Sequence, residues 1–165
     1  MGRHKVPVVR FVYRMLGDTS DAEDVAQDVF VRAYRHIRKP GFRNTGARFS
    51  TWLFQVARNA ALDSLRWRKR HPSESLAEIE DRGGTPAAAG RTPPEESAAR
   101  ETGAQIAAAV ALLPEDQRAA LVLSEYEGLS NAEVAAAMRC TVKSVEGRLF
   151  RARGFLRQRL RHLIA

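Results

Sequence analysis

One cysteine, Cys140, stands alone in 165 residues, so no internal disulfide can form. Aromatics make up only 7% of the chain and β-branched runs are scarce, which disfavours a sheet. No apolar run approaches the length of a membrane span, and no signal-peptide pattern opens the chain. We therefore expect a soluble, cytoplasmic protein with no membrane insertion. The histidines His4, His36, His71 and His162 are scattered, without metal-ligand spacing, and Cys140 has no histidine near it in sequence. There is no glycine-rich phosphate loop, because Gly83-Gly84 falls in a linker-like stretch. No metal, cofactor or catalytic centre is expected, and the chain does not read as an enzyme.

Hydrophobic residues make up 44%, enough for packed helices. Alanine, arginine and glutamate dominate, all good helix formers. The length allows one or two small domains. The net charge is +8 and the pI about 10.5, which suits a polyanionic partner. That charge is unevenly placed. Basic against acidic residues number fifteen to six over 1–71, three to seven over 72–104 and nine to six over 106–165. Two basic blocks flank an acidic middle.

The first block predicts three helices. Val8, Val9, Phe11, Val12, Met15 and Leu16 share a helical spacing, and Gly17 sits where a C-terminal cap belongs. Ser20 and Glu23 form an S-x-x-E capping box. The apolar face Ala22, Val25, Ala26, Val29, Phe30, Ala33 and Ile37 follows, ending before Pro40-Gly41. The exposed side of this helix is acidic early (Asp21, Glu23, Asp24, Asp28) and basic late (Arg32, Arg35, Arg38, Lys39). That order complements the helix dipole, so a purely structural role is one reading of it. After the basic loop PGFRNTGARF, Ser50 is expected to cap a long helix to about Arg70. Leu53, Phe54, Ala57, Ala60, Ala61, Ser64 and Leu65 form one arc of it. Trp52, Gln55, Asn59, Arg66 and Arg70 form the other. An aromatic with amides and arginines facing solvent is unusual for a helix that is merely soluble. The plain alternative is a half-buried Trp52.

Residues 72–104 read as a flexible linker, with Pro72, Pro86, Pro93, Pro94, Gly83-Gly84 and AAAG and little apolar periodicity. Leu76 to Ile79 is expected to be at most transiently helical. As a coil, its 33 residues span roughly 30 Å. The last block reads as four helices: Gln105 to Leu113, then one opened by Pro114 with Glu115 and Asp116 in its first turn and ending at Gly128. A third runs from the Ser130/Glu133 capping box to Met138. After the break Arg139-Cys140-Thr141, the last starts at Val142.

The last two helices with their tight turn make a helix-turn-helix. Ala135 allows a close crossing, and Val142, Val145 and Leu149 are expected to pack inward. Lys143, Ser144, Glu146, Gly147, Phe150 and Arg151 then face out, where a major groove would be read. The plain alternative is a helical hairpin with a solvated basic face. Two positions resist the pattern. Arg139 stands where glycine is usual and is strained if φ is positive there. Gly147 costs a helix about 1 kcal/mol against alanine, for which a close DNA backbone would be a reason.

The stretches DAEDVAQDVFVRAYRHI, FSTWLFQVARNAALDSLRWRKR and LLPEDQRAALVLSEYEGLSNAEVAAAMRCTVKSVEGRLFRARGFLRQRL occur in this order. Together they closely resemble the extracytoplasmic-function (ECF) RNA polymerase sigma factors over nearly the whole chain except the linker. The resemblance implies an all-α fold of two small helical domains joined by a flexible linker, the C-terminal one a helix-turn-helix. Residues 1–71 would be sigma region 2 and residues 105–165 region 4. Asp21, Glu23, Asp24, Val25, Gln27, Asp28 and Phe30 match the segment that docks on the polymerase β′ clamp helices. Phe49, Ser50, Thr51, Trp52, Gln55, Arg58 and Asn59, with the loop Arg43, Asn44 to Arg48, match the part that reads and opens the minus-ten element. Arg66, Arg68, Lys69 and Arg70 would hold backbone there. Lys143, Ser144, Glu146, Gly147, Arg148, Phe150 and Arg151 match the reader of the minus-thirty-five element.

The implied partners are core RNA polymerase (β′ clamp helices and β flap), promoter DNA and an anti-sigma factor, with no cofactor. Strand opening needs a captured, unstacked base, for which aromatics and amides beside arginines are suitable. The family usually carries one more helix before the one that opens here, so a weaker packing of the first domain is expected. The competing reading is a polymerase-independent regulator with a LuxR-like helix-turn-helix. That protein would need neither the acidic patch nor the Trp52 helix.

Overall fold

The computed structural model describes residues 2–43, 47–72 and 94–164. Among them every element is helical. Leu76 to Ile79, Gly83-Gly84 and Asn44 lie outside the described residues, as does the side chain of Arg48.

Helix α1 (Gly2–Leu16) starts before the expected apolar stripe and carries Pro7 within it. Val8, Phe11, Val12 and Met15 are fully buried. Gly17 ends α1 at φ +75, its N–H donating to the Tyr13 carbonyl at 2.7 Å. Only glycine takes that left-handed turn without strain. The turn leaves Asp18 extended, and its carboxylate accepts from the Asp21 N–H at 2.8 Å. Asp18 therefore caps α2 (Thr19–Ile37), and Ser20 lies inside the helix rather than in the expected capping box. Aspartate caps as well as serine, and it comes first after the turn.

Helix α3 (Ala47–Arg70) likewise begins ahead of Ser50, which sits in its first turns and not at its cap. Leu53, Phe54, Ala57, Ala60, Ala61 and Leu62 are buried, and Phe54 meets Phe11 edge to face at 5.8 Å.

Helix α4 (Pro94–Ala111) starts at Pro94, not Gln105. Its early residues, Glu96 to Ala104, are exposed. They bury nothing apolar, which is why periodicity missed them. Helix α5 (Glu115–Leu121) runs directly into a π-helical turn, Val122–Tyr126, closed by Glu127 N–H to the Val122 carbonyl at 3.1 Å. Five residues in succession, Ala119 to Leu123, are buried across this junction, three of them in the α-helix itself. Helix α6 (Asn131–Met138) has the expected capping box. Ser130 N–H donates to Glu133 Oε2 at 2.7 Å, and Glu133 N–H to Ser130 Oγ at 3.2 Å.

Arg139 closes α6 at φ 52, ψ 49, the left-handed conformation that strains a residue other than glycine. Thr141 caps α7 (Val142–Arg159) through the Ser144 N–H at 3.1 Å. Val145, Leu149 and Ala152 form its buried stripe. Val142, expected inside, is exposed. Helical side chains lean toward the N-terminus, and the first helical residue has no preceding turn to cover. Helix α8 (Arg161–Ile164) follows.

The bundle α1–α3 and the unit α4–α8 pack on one another, with α3 against α6 and α1 against α4 and α5. Their buried side chains form one continuous cluster.

Candidate docking face and nucleic-acid interfaces

On α2, Glu23, Asp24, Gln27 and Asp28 are exposed together. Val25 and Phe30 are half-buried against the core. Asp21 is drawn away from the ridge into a tight ion pair with Arg68, whose guanidinium also donates to the Leu16 carbonyl at 3.0 Å. Two residues expected on different surfaces thus tie the end of α3 to the α1–α2 turn. Sequence gives no sign of this, because the pair joins positions 47 apart.

The Trp52 side of α3 is an aromatic cluster. The Trp52 ring stacks on His36 at 4.2 Å and 20°, and on Phe49 at 5.9 Å and 29°. Phe42 meets both His36 and Phe49 edge on, at 5.5 and 6.0 Å. With Lys39 and Arg43 these rings line a cleft of about 590 Å³. Trp52 is half-buried and already stacked within the protein, so the cleft as a whole, more than one bare indole, is what a base would meet. His36, Lys39 and Phe42 were missed by sequence reasoning; the density of rings between positions 36 and 52 was the available signal.

Ser50, Thr51 and Gln55 are half-buried beside it. Asn59, Arg66, Lys69 and Arg70 are exposed along α3, Arg66 pairing with Asp63 at 3.4 Å. Arg58 differs. Its side chain is 15% exposed and pairs with Asp116 of α5 at 2.7 Å.

On α7, Lys143, Glu146, Phe150 and Arg151 are exposed, Phe150 to 80%. Ser144 and Gly147 are half-buried. A methyl at Gly147 would meet only the Arg151 guanidinium, at 3.4 Å, so the fold does not require glycine there. Arg148 turns away from this face, donating to Cys140 Sγ at 3.2 Å and pairing with Asp116 at 3.5 Å.

Charge is also buried where the two units meet. Arg118 donates to the carbonyls of Met15, Ala111 and Leu113 at 2.6, 2.5 and 3.0 Å. Burial lowers its pKa. The Glu127 side chain is 3% exposed, with Arg10 and Arg14 each at 3.8 Å. Burial pushes its carboxyl up against the pull of those two arginines. Among the described residues no group of three or more histidine, cysteine, aspartate or glutamate side chains could hold a metal ion, and no helix is long and apolar enough to cross a membrane.

A helix-turn-helix on an all-α frame, with an exposed acidic ridge and an aromatic-basic cleft, marks the fold class of a DNA-binding protein. Comparison with known proteins agrees. The family models for Sigma-70 region 2 and for Sigma-70, region 4 match residues 1–71 and 103–156. The chain is 39% identical to the RNA polymerase sigma-H factor of Pseudomonas aeruginosa, covering 98% of this chain and 83% of that one. It is 33% identical to the ECF RNA polymerase sigma factor SigW of Bacillus subtilis, over 97% and 86%. Among solved structures, CnrH in complex with the cytosolic domain of CnrY matches with a TM-score of 0.67 at 28% identity, over 98% of this chain and 84% of that one. The sigma factor RpoE bound to the anti-sigma factor NepR from Bartonella quintana shares the fold, with a TM-score of 0.65.

The chain belongs to the ECF RNA polymerase sigma factors. Its function is promoter recognition and transcription initiation with core RNA polymerase, and the stand-alone LuxR-like regulator is not favoured.

Proposed function

We propose that the three surfaces divide the work of initiation. The ridge Glu23, Asp24, Gln27 and Asp28 docks on the β′ clamp helices. The cleft of Phe42, Phe49 and Trp52 takes an unstacked minus-ten base, while Asn59, Arg66, Lys69 and Arg70 hold the strand's phosphates. Lys143, Glu146, Phe150 and Arg151 face the minus-thirty-five major groove, and the α4–α8 unit sits on the β flap. Arg148, Arg68 and Asp21 drop to supporting roles, because their partners lie within the protein. The protein acts in the cytoplasm, catalyses nothing itself, and is held in check by an anti-sigma factor, as its structural relatives are found bound to CnrY and NepR.

The observation that carries this reading is the joint exposure of Glu23, Asp24, Gln27 and Asp28 on α2, in a chain that also presents the aromatic cleft and the exposed residues of α7. No single nucleic-acid contact would use all three. Asp24→Lys with Asp28→Lys should abolish capture of core polymerase while helix content stays the same. Undiminished capture would remove the ridge from the docking face.

A further inference from the structure

Four rings line the aromatic cleft, and His36 touches two of them. It lies one residue before the end of α2, and its imidazole lies nearly flat on the Trp52 indole of α3, at 4.2 Å and 20°. Its second contact is edge on, to Phe42 at 5.5 Å. Among the described residues the other ring neighbour of the indole is Phe49, one turn earlier on α3 and farther off at 5.9 Å. The turn that carries Phe42 is closed by backbone. Lys39 N–H donates to the His36 carbonyl and Phe42 N–H to the Lys39 carbonyl, both at 3.2 Å. The imidazole is therefore not needed to form that turn. A ring pair that serves the core looks different. Phe11 and Phe54 meet at 0% and 7% exposure, whereas His36, Phe42, Phe49 and Trp52 are all half-buried.

We propose that His36 is a positioning residue for promoter opening, fixing the plane of the Trp52 indole so that the cleft is already shaped when an unstacked base arrives. An indole braced only by Phe49 would be free to swing. A base that stacks in the cleft would then have to order the ring as well as itself, and that ordering subtracts from the stacking it gains. A planar ring on α2 removes this cost, because stacked aromatic faces hold one another's orientation as an aliphatic side chain does not. Imidazole suits a half-buried place, having an apolar body and polar ring nitrogens. Lys39 and Arg43 line the same cleft and would hold the phosphates beside the captured base.

This inference rests on the cleft taking a minus-ten base, and the test separates the two claims. Holoenzyme carrying the full chain is assayed on a duplex promoter taken from the transcript starts it directs. Closed-complex affinity and the rate of isomerisation to the open complex are measured separately for wild type, His36→Ala, His36→Phe, Trp52→Ala and His36→Ala/Trp52→Ala. Positioning predicts that His36→Ala slows isomerisation about three- to tenfold with closed-complex affinity unchanged. His36→Phe should restore the rate to within about twofold, and His36→Ala should add no further loss to Trp52→Ala. A slow Trp52→Ala beside a normal His36→Ala overturns the role of His36 and leaves the cleft reading standing. Normal rates for both variants sink the cleft reading, and this inference with it. Equal slowing by alanine and phenylalanine overturns ring stacking as the cause. A loss shared by closed-complex affinity overturns the positioning role, marking a general defect of the helical unit.

Discussion

Arg139 is the only non-glycine residue at positive φ among those described, and replacing it with glycine should stabilise the protein. The left-handed conformation costs an L-residue about 1–2 kcal/mol. Glycine removes that cost but adds about 0.4–1 kcal/mol of unfolded-chain entropy. The two backbone bonds of the turn, Arg139 N–H to Ala136 and Cys140 N–H to Ala135 at 3.3 and 3.0 Å, need no side chain. The Arg139 side chain itself is exposed. The net gain is therefore about 0.5–1 kcal/mol, or roughly 1–4 °C in Tm for a chain of this length. Thermal unfolding followed by circular dichroism measures it. Arg139→Ala separates backbone from side chain, because alanine keeps the strained φ and should gain nothing. Equal stabilisation by alanine and glycine, or a loss with glycine, would refute the strain argument.

Trp52→Ala should cut open-complex formation on duplex promoter roughly tenfold, a base stack being worth about 1–3 kcal/mol, and do so less on a pre-melted bubble. Equal loss on both templates would mean that the His36–Trp52–Phe49 stack serves only the fold. Arg151→Ala should change base preference at the upstream element by about 1–3 kcal/mol, read by competition among mutated sites; uniform weakening would make Arg151 a phosphate contact. Burial raises the Glu127 carboxyl above its ordinary value of 4.5, Arg10 and Arg14 pulling the other way. A carboxyl with a raised folded pKa contributes stability below its ordinary value and loses that contribution as pH rises through the raised one. Wild type should therefore lose stability relative to Glu127→Gln as pH climbs from 4.5, in paired denaturant titrations. A flat difference, or one of opposite sign, would place the arginine attraction above desolvation.

What the sequence made legible was local. Pro114, Gly17, Gly128 and the Ser130/Glu133 box act within one turn of themselves, and each falls where it was read. The stripe Val145 and Leu149 was readable for the same reason. Starts of helices were harder. Asp18 takes the cap from Ser20 because Gly17 delivers it in extended geometry, and α4 runs back to Pro94 through residues that bury nothing. The π turn at Val122–Tyr126 overlaps a run of five buried residues, Ala119 to Leu123, which no single period encodes. The candidate surfaces were legible as charge and aromatic patterns. The removal of Asp21, Arg68 and Arg148 from them was not, since each is tied down by tertiary contact.

The central claim, that this chain selects promoters only together with core polymerase, is tested most directly by mapping transcript 5′ ends on bacterial genomic DNA. Core enzyme is supplied with and without the protein. The account predicts a new set of starts that requires both components. These starts should share two upstream elements spaced by roughly two turns of duplex, about 70 Å, and should vanish with Asp24→Lys/Asp28→Lys. An unchanged set of starts, with the protein occupying specific duplex sites in the absence of polymerase, would contradict it.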